Sequence, residues 1–358
     1  MTALPPDLET ACLVVDQAVL EANLQAMAAT ARARGLALRP HAKTHKCREI
    51  ARRQLELGAA GLTVATVGEA EVFADDGCTD LFVAYPVWAA GRRGDRLRAL
   101  ADRAALRVGV DSEQAAVVLG RALHGTDAQV LVEVDSGHAR TGVLPEQAGR
   151  VAVAAARAGL QVAGVFTFPG HGYGPGRRAP AAADEAAALG QAGEALRREG
   201  IDPAVRSGGS TPTAALADGT ELTEMRPGVY VFSDAQQVEL GVAGWDDVAL
   251  TAAATVVSRR PGRVVLDAGS KVLGADRAAW STGAGRLPDS PDARVTALSE
   301  HHATVELPDG TPLPELGDVL RVAPNHVCAA VNLADELVVT AGGAVVDRWQ
   351  VAARGRNG

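Results

Sequence analysis

Five stretches of this sequence gather the side chains that can hold an anion, a metal ion or a mobile proton. Arg39-Pro40-His41-Ala42-Lys43-Thr44-His45-Lys46 sets amines and imidazoles side by side, and Asp135-Ser136-Gly137-His138-Ala139-Arg140-Thr141-Gly142 adds a carboxylate, an imidazole and a guanidinium. Pro169-Gly170-His171-Gly172-Tyr173 adds an imidazole and a phenol. The fourth, Ser207-Gly208-Gly209-Ser210-Thr211-Pro212-Thr213, carries glycines and hydroxyls where a strand gives way to a short helix. Unpaired N–H groups and the helix dipole would make such a turn an anion cradle, although a plain helix cap has the same composition. It has neither the spacing of a nucleotide P-loop nor that of a dinucleotide fingerprint, which argues against ATP and NAD. The fifth, Pro324-Asn325-His326-Val327-Cys328, puts an imidazole and a thiol two residues apart. On a strand both would face one side and could grip a metal ion, leaving positions for water and a substrate oxygen as a Lewis acid requires. Thiolate with imidazole favours Zn²⁺ by ligand softness, with Mn²⁺ and Mg²⁺ as harder alternatives. An isolated H-x-C pair is also a common accident.

The elements that must position these stretches follow from the alternation of short β-type runs with longer Ala/Leu/Arg-rich helical patterns between residues 20 and 232. Strands are predicted at 36–39, 62–66, 81–84, 106–110, 130–134, 162–167, 204–206 and 222–225, with helical stretches such as 49–57, 68–75 and 113–123 between them. Eight such units close a (β/α)8 barrel, whose reactive groups sit at the C-terminal ends of the strands. The first four polar stretches all fall there, so they converge on one site. A helix at 16–34 precedes the first strand, and the apolar run 11–15 is expected to pair outside the barrel.

After residue 241 the texture changes to β-branched runs broken by Gly, Pro and Asp, with no amphipathic helix of any length. Strands are predicted at 249–258, 263–267, 303–306, 319–322, 336–340 and 344–352. The fold class is therefore α/β: a barrel over residues 16–240, and a β domain formed by 1–15 and 241–358 that bears the H-x-C pair.

At 358 residues, 47% hydrophobic and 22% charged, the chain has the profile of a soluble enzyme of two domains. A net charge of -8, with no basic cluster interleaved with aromatics, excludes nucleic acid and anionic lipid as expected partners. No apolar run is long enough to span a membrane. Pro5, Pro6 and acidic residues stand where a secretory signal would need a basic start and an apolar run, so the cytoplasm is the expected location. Cys12, Cys47 and Cys78 read as buried small hydrophobes rather than a disulfide framework.

These motifs resemble, in order, those of the D-threonine aldolase and D-serine dehydratase family, pyridoxal-phosphate enzymes with an alanine-racemase-like barrel (fold type III). The resemblance runs from about residue 10 to 350. It includes Arg39 to Lys46, Val132-Glu133-Val134-Asp135-Ser136-Gly137, the loop at 207–213, Arg226-Pro227-Gly228-Val229-Tyr230, Asp267-Ala268-Gly269-Ser270-Lys271 and Pro324 to Cys328. It implies that Lys43 carries pyridoxal phosphate as a Schiff base and serves as base or acid at Cα. A lysine beside a cationic neighbour or in an apolar mouth has its pKa lowered, which supplies the neutral amine this requires. The resemblance further implies that Ser207, Gly208, Gly209, Ser210, Thr211, Gly228 and Tyr230 hold the phosphate. Arg140 would meet the cofactor's phenolic oxygen, Arg226 would lie near its pyridine nitrogen, and Tyr173 over it near the substrate. His326 and Cys328 would hold the divalent metal.

The implied substrate is a β-hydroxy D-amino acid. Cys328, rather than an aspartate, is more like the dehydratase branch, so β-elimination to a keto acid and ammonia stands ahead of retro-aldol cleavage to glycine and an aldehyde. A racemase and a non-catalytic cofactor carrier are the remaining alternatives. A homodimer is expected by fold analogy. One departure concerns Ser299-Glu300-His301-His302-Ala303, where the family has a Glu-Glu-His-Gly run, leaving His301 and His302 as either pocket residues or a surface turn.

Overall fold

The computed structural model describes Leu4, Pro5 and residues 8–358. Residues 1–3, 6 and 7, at the start of the segment read above as lacking a signal and as part of the β domain, lie outside the described residues. The chain forms two compact units: one of residues up to Gln25, Thr44–Glu49 and Val229–Gly355, the other of Ala26–Lys43, Ile50–Gly228 and Arg356–Gly358. Among the described residues no helix is long and apolar enough to cross a membrane.

The chain runs through β1 (Cys12–Asp16) into α1 (Gln17–Ala33), whose start is fixed by Asp16 Oδ1 accepting the N–H groups of Ala18 and Val19. The barrel strands follow: β2 (Ala37–Leu38), β3 (Leu62–Val64), β4 (Asp80–Pro86), β5 (Ala105–Val110), β6 (Gln129–Glu133), β7 (Gln161–Phe166), β8 (Val205–Gly208) and β9 (Glu224–Met225). The helices between them are α2 (Arg48–Glu56), α3 (Val67–Asp75), α4 (Arg92–Ala101), α5 (Glu113–Ala122), α6 (Ala148–Arg157) and α7 (Arg178–Arg198). Each of the eight expected strands is present, with ends shifted by a few residues. All pair in parallel, in the order β2-β9-β8-β7-β6-β5-β4-β3. The two ends of that sheet meet through a bridge of His41 to Thr63, where the Ala42 N–H donates to the Thr63 carbonyl at 2.8 Å and the Thr63 N–H to that of Pro40 at 2.8 Å. The interior is packed with Phe82, Leu131 and Phe166, the first and last meeting edge to face at 5.0 Å. Side-chain caps start the outer helices: Thr66 accepts the Glu69 N–H for α3, and Ser112 the Ala115 N–H for α5.

The other unit holds α8 (Ala235–Glu239) and a sheet of β10 (Leu250–Arg260), β11 (Arg263–Leu266), β12 (Arg294–Leu298), β13 (Ala303–Glu306), β14 (Val319–Val322), β15 (Glu336–Ala341) and β16 (Ala344–Gln350), with β1 inserted. β1 pairs antiparallel with β10 and parallel with β15, so the 11–15 run does pair outside the barrel. Three expectations need correction. β12 was not foreseen, because Arg294-Val-Thr-Ala-Leu298 gives only a short and weakly alternating run. Two short helices, α9 (Ser270–Leu273) and α10 (Val327–Leu333), interrupt the unit expected to have none. In α10 the buried residues Val327, Ala330 and Val331 recur at helical spacing within a Val-rich segment. Finally, Cys12 is only half-buried, whereas Cys47 and Cys78 are buried as expected.

Candidate active site

In the barrel unit, a cavity of roughly 320 Å³ is lined by His41, Lys43, Ala65, Ala84, Tyr85, Arg140, Thr141, Phe168, Gly209 and Arg226. Lys43 lies in the turn that follows β2 and the His41 bridge. Its Nζ stands 5.8 Å from the centre of the Phe168 ring, and the Arg140 guanidinium stands 5.1 Å from the same ring. An amine and a guanidinium thus share one aromatic ring. Four of the residues singled out in the sequence (Lys43, Arg140, Gly209 and Arg226) meet on this cavity.

The remaining expected residues of the barrel unit lie around the cavity without lining it. Tyr173 packs on Phe168, with ring centres 6.0 Å apart. Ser207 is buried and engaged: its hydroxyl donates to Glu224 Oε1 at 2.6 Å and accepts from Arg226 Nη1 at 2.5 Å. Arg226 also donates to the Thr167 carbonyl at 2.6 Å and lies over the Phe82 and Phe166 rings, so its guanidinium is held by the barrel itself. Burial lowers its pKa. In the glycine loop, the Gly209 N–H donates to Glu185 Oε1 at 2.5 Å and the Ser210 N–H to Thr213 Oγ1 at 3.0 Å, with Ser210 Oγ 3.0 Å from Thr213 Oγ1. Gly208, Ser210 and Thr211 are buried, and so is Gly228.

Several neighbours of the cavity were missed. Glu224 accepts from Arg39 at 2.6 Å, and Arg39 also bonds Asp80 at 2.7 Å. Glu133 is buried at the end of β6, accepting the Thr141 hydroxyl at 2.9 Å, and burial raises its pKa to about 7. Glu185 on α7 is wholly buried under the glycine loop. Phe168, which lies between the end of β7 and the Pro169–Tyr173 stretch, seats both cations. The period-2 rhythm of β6 could have marked Glu133 as inward-facing. Nothing in the Ala-rich α7 distinguishes Glu185 from its exposed carboxylate neighbours.

In the other unit, the H-x-C pair does not lie on a strand: His326 is the N-cap of α10 and Cys328 is its second residue. The turn at the helix start brings them together, and the His326 imidazole is bonded to Cys328, whose thiolate charge is the main cause of a pKa raised to about 11. Asp234, wholly buried, accepts the Gln237 N–H that starts α8 and the Val327 N–H that starts α10, and lies 3.5 Å from His326 Nδ1. Cys328 Sγ lies 3.3 Å from Thr44 Oγ1. No third His, Cys, Asp or Glu among the described residues is placed to join the pair around one ion. The donor set suits a metal with two protein ligands and open positions. Tyr230 is buried in this unit, and His301 and His302 are exposed in the turn between β12 and β13.

Residues 15–236 match the family described as "Alanine racemase, N-terminal domain", and residues 249–340 the "Putative serine dehydratase domain". A D-threonine aldolase from an Arthrobacter species is 36% identical over 99% of this chain and 97% of its own length. A D-threo-3-hydroxyaspartate dehydratase from a Delftia species is 35% identical over 90% of this chain and 91% of its own. The solved structure of a D-threo-3-hydroxyaspartate dehydratase, a cysteine-to-alanine variant in the metal-free form, matches with a TM-score of 0.88 at 31% identity, covering 96% of this chain and 98% of that one. The cavity fits pyridoxal phosphate: a lysine over an apolar ring, a free-standing arginine beside it, and a glycine of the hydroxyl-rich loop at its wall. The chain belongs to the D-threonine aldolase and D-serine dehydratase family, pyridoxal-phosphate lyases of β-hydroxy D-amino acids built on the alanine-racemase-like barrel.

Proposed function

We propose that this member of the family is a metal-dependent dehydratase, eliminating water from a β-hydroxy D-amino acid to give a keto acid and ammonia. The observation that carries the reading is the contact of a thiol with an imidazole at Cys328 and His326, a soft donor pair suited to Zn²⁺. A relative whose cysteine variant is described as metal-free supports it.

Lys43 would hold the cofactor through its amine and would take or return the proton at the substrate's Cα. Arg140 would orient the ring from the cavity rim, the turn at Gly209 would hold the phosphate, and Phe168 would keep water from the amine. Bound pyridoxal phosphate supplies the electron sink that makes a proton or carbon leave Cα. His326 and Cys328 would hold a metal that serves as Lewis acid to the β-hydroxyl.

Retro-aldol cleavage is the second reading, favoured by the 36% identity to a D-threonine aldolase. Product analysis with D-serine, D-threonine and 3-hydroxy-D-aspartate separates the two: keto acid and ammonia are expected, whereas glycine and an aldehyde would establish the aldolase. Chelation is expected to stop either reaction without bleaching the cofactor. Full activity in metal-free protein, or in the His326→Ala, Cys328→Ala double variant, would overturn the metal's role.

A further inference from the structure

We propose that Glu185 is a positioning residue for the phosphate-holding loop: its carboxyl group shapes the Gly208-Gly209 turn from the α7 side and takes up a proton when a phosphate monoester occupies the cavity side. The proposal rests on the reading that this loop holds the cofactor's phosphate.

The geometry is unusual for a carboxyl group. Glu185 is wholly buried, its Oε1 accepts one backbone N–H, that of Gly209 at 2.5 Å, and its Oε2 has no hydrogen-bond partner. Glu224, also buried, has Arg39 at 2.6 Å and the Ser207 hydroxyl at 2.6 Å. No cation is bonded to Glu185. The titratable groups on the elements packed against α7 are Glu146, Arg150, Arg157, His171 and Arg206, and none of them bonds to it; Arg226 acts on it only through its field. The loop is cut to fit this carboxyl. A Cβ on Gly208 would overlap Oε1, and Gly209 takes a φ of +82°, which turns its N–H towards Glu185 while its other side lines the cavity.

A buried carboxylate with a single N–H is costly to ionise. Burial accordingly raises its pKa to about 7, against the lowering effects of the Gly209 N–H and the Arg226 charge. A phosphate dianion at the same loop adds a like charge, which disfavours the ionised form further. Above about pH 7, therefore, the phosphate binds together with a proton, and cofactor affinity falls as pH rises through that range.

The test is the dissociation constant for pyridoxal phosphate, read from visible absorbance between about pH 6 and pH 9, in the protein and in its Glu185→Gln variant. Glutamine still accepts the Gly209 N–H and cannot take the proton. The ratio of wild-type to variant constants should rise by up to about tenfold per pH unit above 7, the contribution of Lys43 cancelling. A flat ratio overturns the proposal. In wild type alone, pyridoxine 5'-phosphate, which has the phosphate but no aldehyde, should bind more weakly as pH rises from about 7 to about 8.5; constant or rising affinity overturns it as well. If borohydride fixes no pyridoxal-phosphate adduct on Lys43, the cofactor reading fails and this inference with it. If the adduct forms there and the ratio is flat, only the role of Glu185 falls.

Discussion

The floor and the rim of the barrel cavity use the same side-chain types and hold them in opposite ways. On the floor, Arg39, Glu224, Asp80, Ser207 and Arg226 bond one another, and Arg226 lies over the Phe82 and Phe166 rings. Each floor charge is already answered by the protein, so its geometry is set before any ligand arrives. On the rim, Arg140 is exposed and Lys43 only half-buried, and both stand over the single ring of Phe168. Both rim groups line the cavity, within reach of a ligand there. On the function proposed above, the difference separates two jobs: the floor fixes the shape of the cavity, and the rim would do the chemistry within it.

The largest effect should come from the rim. Lys43→Ala is expected to remove the visible absorbance of bound cofactor and to lower activity by roughly 10²–10⁴-fold or more, since a proton carrier at Cα is lost along with the covalent attachment. Thermal unfolding should be nearly unchanged. A large drop in melting temperature would make Lys43 part of the floor, and an adduct mapped to Lys46 would move the chemistry to the wrong side of the turn. The floor should respond in reverse. Arg39→Met leaves Glu224 buried beside a weaker Arg107 contact at 3.5 Å, and breaking a buried pair costs about 3–5 kcal/mol. Denaturant unfolding is the measurement. A cost below about 1 kcal/mol would show the floor to be no better ordered than a surface ion pair.

This contrast also explains what the sequence disclosed. Lys43, Arg140, Gly209 and Arg226 were legible because rim and loop residues cluster in polar runs at strand ends, where a barrel exposes its backbone. The partnerships of the floor were not. Arg39 finds Asp80 and Glu224 across the barrel interior, and those separations in sequence carry no local signal. Ser207 reads as a phosphate ligand within its loop, yet in the structure Glu224 and Arg226 engage it. His326 and Cys328 do meet in the structure, but not in the way their spacing predicted. Spacing of two suggested one face of a strand, whereas a helix start brings the two side chains together.

Glu133 sharpens the comparison because it lies between the two regions, buried at the end of β6 with its one bonded partner, Thr141, on the cavity wall. Burial raises its pKa from 4.5 to about 7. A raised carboxyl pKa means that the folded state prefers the neutral form. The stability this confers is full below about pH 4.5 and is lost as pH rises through 7. Glu133→Gln should therefore stabilise the fold by about 1–3 kcal/mol near pH 8, with the advantage vanishing below about pH 4.5. A variant less stable at every pH would show that ionised Glu133 is answered by Arg140 and Arg226, and so belongs wholly to the floor.

The prediction that most directly tests the division is at Arg140, where the expected effect on stability is again small. Its guanidinium is exposed and its contact with Phe168 is a cation over a ring, worth about 0.5–1 kcal/mol at an exposed site. Arg140→Ala should change unfolding by less than about 1 kcal/mol. If Arg140 bonds the cofactor's phenolic oxygen, the same variant should lose about 1.5–3 kcal/mol of cofactor affinity, roughly 10- to 100-fold, because a charge-assisted bond is gone. Arg140→Lys restores the charge without the planar fork, so it should recover stability fully and affinity only in part. Cofactor titration and denaturant unfolding on these two variants read the two quantities separately. If both fall together, Arg140 is structural, and the rim is not the free-standing surface that its exposure suggests.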